Sequence, residues 1–188
     1  TGNMVLVGQS LALGQWEMAL EHFVPVAAFA AGVFAAEVVH NRFHSRNLAF
    51  HWRQAVVLLE AAILLLVAFL PYGLNLLANV LVSFVCAMQV NAFRKIKGSP
   101  YATTMCIGNL RSGTEHFYTY RHTKSPESRD QCIRYYGVIV IFLVGAVLGA
   151  VLTARLAEKT IWVSCGLLLI SFLIMFLQED MGERERTQ

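Results

Sequence analysis

A lone carboxylate interrupts one apolar run: Glu60, in residues 55–70. An ionisable group at lipid depth is expensive and is kept where it faces a cavity or a partner. Glu60 is therefore the first candidate for coupling a proton or a cation to another event. The competing reading has it reaching the interface or pairing with a base such as Arg53. Glu37 stands near the end of a second run, residues 23–39. It is the second coupling candidate, although an interfacial or paired role suits that position better. Asn75 and Asn79, one turn apart in a third run, either line a pathway or bond to a neighbouring helix.

Uncharged polar residues form two related clusters. Thr1-Gly2-Asn3 opens the chain, and Ile107-Gly108-Asn109 recurs later, preceded by Gln89, Asn91, Thr103 and Thr104. Thr, Gln and Asn supply hydroxyl and amide groups, and Gly lets a backbone approach a ligand closely. At the start of a half-helix dipping into the membrane, such a segment would also face an anion or a carboxylate. Thr and Asn equally favour ordinary helix starts, which leaves a capping role open. Because the motif occurs twice, Thr1, Gly2, Asn3, Gln89, Asn91, Thr103, Thr104, Gly108 and Asn109 are taken as candidate substrate-binding residues.

Other constellations are weaker. His40 and His44 have the i, i+4 spacing of a helical zinc pair, with His51 nearby, but Asn41 stands where an HExxH helix needs Glu. They read as part of a solvated basic loop, and no metal site is assigned. His116 and His122 have no second ligand pattern. No GxSxG, P-loop or dinucleotide fingerprint is present, so no catalytic residues and no cofactor are assigned. Intramembrane enzymes with scattered residues stay open. Cys86, Cys106, Cys132 and Cys165 lack CxxC spacing, which argues against disulfides or structural zinc.

The elements carrying these residues follow from hydropathy. Of the 188 residues 56% are hydrophobic and 14% charged, against an apolar share of about 45–50% in soluble domains. Five runs, residues 23–39, 55–70, 74–93, 135–153 and 160–177, approach the roughly 20 residues that cross a bilayer. Lys and Arg divide unevenly between the two sides these runs define. Arg155 and Lys159 are alone on one side, and the other thirteen lie on the opposite side. The positive-inside rule makes the basic side cytoplasmic, with the C-terminus inside and Thr1 outside. The net charge of +3 is thus absorbed by topology, and a nucleic-acid partner is not expected. Residues 179–188 read as a short, mobile, charged cytoplasmic tail.

The halves repeat. Phe29–Ala36 and Phe142–Gly149 align through Gly32 and Gly145, and carry small-xxx-small pairs, Gly32/Ala36 and Gly145/Gly149. Such pairs serve close helix packing, within a subunit or in a homo-oligomer. The unit reads as helix, Gly-Asn segment, helix, helix. Residues 1–72 form the first repeat without its opening helix, which is expected ahead of Thr1, and residues 73–178 form the second. Three spans per unit place successive copies upside down. Inverted repeats of this kind are typical of secondary transporters with sites near the membrane midplane.

Gln89, Asn91-Ala92, Arg94, Thr103-Thr104 and Gly108-Asn109-Leu110, with Thr1-Gly2-Asn3 and Gly8, resemble the YoaK family of bacterial membrane proteins over nearly the whole chain. Ile107 departs from the Thr usual in that motif, which weakens any need for a hydroxyl there. The resemblance implies about six spans in a bacterial cytoplasmic membrane and supplies no activity. Together these readings predict an all-α, polytopic transmembrane bundle of two inverted three-helix repeats. The expected function is carriage of a small solute or ion, with a midplane site formed by the two Gly-Asn segments. A channel, or a non-transporting scaffold or sensor, would use the same frame. The expected partners are the lipid bilayer and an unidentified solute.

Overall fold

Within lipid a backbone amide finds no water, so long apolar runs close their hydrogen bonds internally as helices. The computed structural model describes residues 2–44, 52–96, 99–100 and 106–186. Among these it is all-α apart from one hairpin. The α-helices are α1 (Gly2–Ala12), α2 (Trp16–His44), α3 (Trp52–Val67), α4 (Asn75–Ala92), α5 (Cys106–Thr123), α6 (Pro126–Leu156) and α7 (Thr160–Arg186). Short strands β1 (Lys95–Ile96) and β2 (Ser99–Pro100) pair antiparallel.

Among the described residues, four segments are long and apolar enough to cross a membrane: Trp16–Arg42, Asn75–Ala92, Pro126–Leu156 and Thr160–Leu177. The remaining expected span, residues 55–70, has the anticipated length but starts and ends three residues earlier, at Trp52–Val67. Helix α3 has 16 residues, about 24 Å at 1.5 Å per residue, against a core of about 30 Å. It stops because Pro71 follows. The ring removes a donor and disfavours helical backbone at the preceding residue. The chain unwinds through bonds from the amides of Ala68, Phe69 and Leu70 to the carbonyls of Leu64, Leu66 and Val67. Helix α7 runs on to Arg186, so the expected mobile tail is helical through most of its length, as a run of Glu and Arg allows.

The chain forms two compact units, Thr1–Ala92 with Ile161–Gln188, and Phe93–Thr160. In the first, α2, α3 and α4 pack together, and α1 folds back on α2, burying Ser10 and Ala19. The α2–α4 seam is a close backbone approach. A Cβ at Gly32 would stand 2.8 Å from Ala87 Cβ and closer still to the Phe84 carbonyl oxygen. Ala36, one turn on, is fully buried. This is the packing expected of the Gly32/Ala36 pair. At Gly145 and Gly149 of α6, the same spacing meets nothing within 4 Å. In the second unit α5 and α6 form a helical hairpin. Gly113 lies against the Tyr135 side chain, 3.2 Å from where its Cβ would be.

Each unit contains the same local order. A helix with Gly-Asn in its first turn ends, one residue takes positive φ, and a long apolar helix starts two positions later. The turn residue is Gly14 (φ 70°) before α2 and Lys124 (φ 54°) before α6.

Candidate functional site

The polar interior of the first unit is built on three helix ends. Arg53, in the first turn of α3, donates from Nε to the carbonyl of Ala92, the last residue of α4, at 3.1 Å. That bond holds the start of α3 beside the end of α4. One turn beyond the Gly32 seam, Asn91 of α4 donates from Nδ2 to Glu37 Oε1 of α2 at 3.1 Å. The other oxygen, Glu37 Oε2, lies 3.9 Å from His40 Nδ1. His40 meets the Trp52 ring edge-on at 4.6 Å between centroids, and the Arg53 guanidinium lies over that ring at 5.5 Å. Glu37, Asn91, His40, Trp52 and Arg53 thus clasp the ends of α2, α3 and α4 together.

Glu60 lies seven residues past Arg53 on α3, about 10 Å deeper along the axis. Its relative exposure is 0%, and neither carboxylate oxygen has a hydrogen-bond partner among the described residues. The buried face it shares includes Val56, Val57 and Ala61, with Gln54 (1% exposed) one turn nearer the clasp. Cys86 of α4 is within electrostatic range. The competing reading, a pairing with Arg53, is not met: neither Glu60 oxygen has a hydrogen-bond partner among the described residues, and the Arg53 side chain bonds to the Ala92 carbonyl and lies over Trp52. An unmatched carboxyl is exceptional, because buried polar groups are almost always hydrogen-bonded.

The remaining candidates divide between the units. Gly2 and Asn3 are exposed in the first turn of α1, in the first unit. Gly108 and Asn109 occupy the first turn of α5, in the second. Gly108 is exposed, whereas Asn109 is 3% exposed and shares its buried helix face with Gly113. Around it the α5–α6 hairpin is held by a 3.1 Å hydrogen bond between Thr114 Oγ1 and Tyr136 Oη and by His116 stacked on Tyr135 at 5.8 Å. Gln89 is half-buried on α4. Thr1, Thr103 and Thr104 lie outside the described residues. Asn75 and Asn79 are exposed. The sequence reading did not single out Gln54, Trp52 or the His40–Glu37 contact. The signal available was spacing, since Gln54, Val57 and Ala61 fall on one helical face.

Long apolar helices, a polar clasp at their ends and a carboxyl buried between them define a multi-pass integral membrane protein. The chain belongs to a family described as Protein of unknown function (DUF1275), whose profile matches residues 1–174. That agrees with the expectation of a family without an assigned activity. No curated protein and no solved structure matches it.

Proposed function

We propose that this protein carries a small solute or ion across a bacterial cytoplasmic membrane, with Glu60 as the coupling group. The observation that carries this reading is a fully buried carboxyl, on an apolar helix, that has no hydrogen-bond partner among the described residues. A soluble core would gain by replacing it; in membrane helices such groups mark ion pathways and proton relays. The clasp above it, from Glu37 to Arg53, is the proposed closure; its bonds between helix ends, Arg53 to Ala92 and Asn91 to Glu37, are part-buried. The two Gly-Asn helix starts are the proposed solute-contacting elements, Gly2-Asn3 and Gly108-Asn109. Their shared local order, helix, left-handed residue, long helix, supports a duplicated unit. An odd number of spans per unit would invert the second copy, as in carriers that work by alternating access.

The experiment is a thermal-shift screen of small solutes on the purified protein in detergent, followed by counterflow of any stabilising solute in liposomes. Saturable flux with counterflow is expected. Asn109→Ala and Glu60→Gln should abolish it while each variant still elutes as a folded species. Flux surviving both changes refutes the site. Non-saturating conductance assigns a pore, and failure of every solute to stabilise the protein sinks the carrier reading. Orientation is tested separately in a cysteine-free background. A Cys within residues 95–99 should be shielded from an impermeant thiol reagent in intact cells, and one within residues 157–159 labelled, as the distribution of Lys and Arg requires.

A further inference from the structure

The ion at Glu60 is set by what surrounds it. We propose that this carboxyl takes up and releases a proton, and that no metal cation occupies it; this rests on the carrier reading and names its coupled ion. Hard cations are held by on the order of six oxygen ligands. Around Glu60, no described nitrogen or oxygen lies within hydrogen-bonding geometry of either carboxylate oxygen. The side chains sharing its buried face include Val56, Val57 and Ala61, which have no lone pairs to offer. Cys86 is a soft donor, and one thiol with one carboxylate is too few for a soft metal. No group of three or more His, Cys, Asp or Glu able to hold a metal occurs among the described residues. A proton asks for one lone pair and nothing else. It also leaves a neutral carboxyl, whose burial costs far less than that of an ion.

Among the described residues, no charged or titratable group is bonded to either Glu60 oxygen. From α4 the neighbour is Cys86. From α2 the titratable groups at the clasp end are Glu37, held by Asn91, and His40, held between Glu37 and Trp52. On α3 itself Arg53 is engaged at Ala92. Protonation of Glu60 is thus read locally, by Glu60 and its burial, rather than by transfer along a chain of ionised residues.

The test uses dicyclohexylcarbodiimide, an apolar reagent that adds a protonated carboxyl across its C=N bond. The carboxyl proton goes to nitrogen, the oxygen bonds to carbon, and an O-to-N acyl shift leaves a stable adduct with no leaving group. On the full chain in lipid vesicles, mass spectrometry should find the adduct on the peptide containing Glu60. Labelling should fall about tenfold per pH unit once the carboxyl ionises. Sodium, potassium or calcium chloride should give no protection beyond that of choline chloride. Glu60→Gln should remove the adduct; if that variant does not fold, Glu60→Asp should keep it. Protection by a metal cation overturns the proposal. If the adduct is absent, infrared spectra decide. A neutral, non-hydrogen-bonded carboxyl C=O band that titrates with pH and is missing from Glu60→Gln upholds the proposal, and its absence overturns it. Labelling needs no solute gradient, so a protein that labels as expected but shows no flux refutes the carrier reading and leaves the proton site standing.

Discussion

Gly32→Ala probes the α2–α4 seam on which the polar interior hangs. The new methyl carbon would stand 2.8 Å from Ala87 Cβ, where ordinary contact begins at 3.4 Å. The helices must therefore part by at least about 0.6 Å, and the Phe84 carbonyl, being backbone, cannot swing aside. Overpacking of this kind costs about 1–3 kcal/mol. Ala also gains about 1 kcal/mol of helix propensity over Gly, so Gly32→Ala alone nets a loss of up to about 2 kcal/mol. Gly145→Ala is the matched control: same residue, same small-xxx-small setting, and nothing within 4 Å. The propensity gain is common to both variants. Their difference isolates the overpacking contribution, about 1–3 kcal/mol. Reversible unfolding in mixed micelles, titrated with a denaturing detergent, reads it directly. Gly32→Ala should unfold earlier than wild type and Gly145→Ala at or beyond wild type. Equal midpoints for the two variants would show that α2 and α4 do not approach through Gly32.

Glu60→Met should stabilise the folded protein by about 1–3 kcal/mol in the same titration, since it removes a buried polar group that has no partner; a destabilised variant would mean that Glu60 is bonded in the membrane. Gly14→Ala should cost about 1–2 kcal/mol, because φ is 70° there while space around it is open. Strain alone is at work at that position, so Gly14→Asn should recover part of the loss; an Ala variant as stable as wild type would mean that the turn is not left-handed.

The helical frame was legible because lipid leaves a long apolar run no other fold. The end of α3 was less so. Its hydropathy continues to Leu70, and the break comes from Pro71 acting backwards on residues before it. Glu60 stood out for its charge, but its isolation was hidden. Helical spacing puts Gln54, Val57 and Ala61 on one face, but spacing alone does not say which groups the neighbouring helices bring to Glu60. Arg53, two turns away on nearly the same face, looked like a partner. The structure shows why it is not: about 10 Å of helix axis separates the two, and the Ala92 carbonyl is nearer. Gly32/Ala36 and Gly145/Gly149 make the same point from the other side. Identical spacing permits close packing, and only the fold supplies the neighbour. Thr1, Thr103 and Thr104 stay sequence readings.

The two bonds of the clasp should differ in what they control. Asn91 to Glu37 joins α4 to α2, which the Gly32 approach already locks together. Arg53 to Ala92 joins α3 to α4, where no glycine brings the backbones together. An opening that exposes Glu60 therefore proceeds most cheaply by α3 leaning away at its Arg53 end, with the α2–α4 pair intact. Arg53→Met keeps the aliphatic stem and loses the bond, worth about 1 kcal/mol, together with the guanidinium contact to Trp52. If these break in the open state, the open population rises at least about fivefold, and carbodiimide labelling of Glu60 accelerates by the same factor. Asn91→Leu, which removes a bond of similar size within the locked pair, should leave the labelling rate near that of wild type. Equal acceleration by the two variants would refute the hinge, because the clasp would then open as one piece.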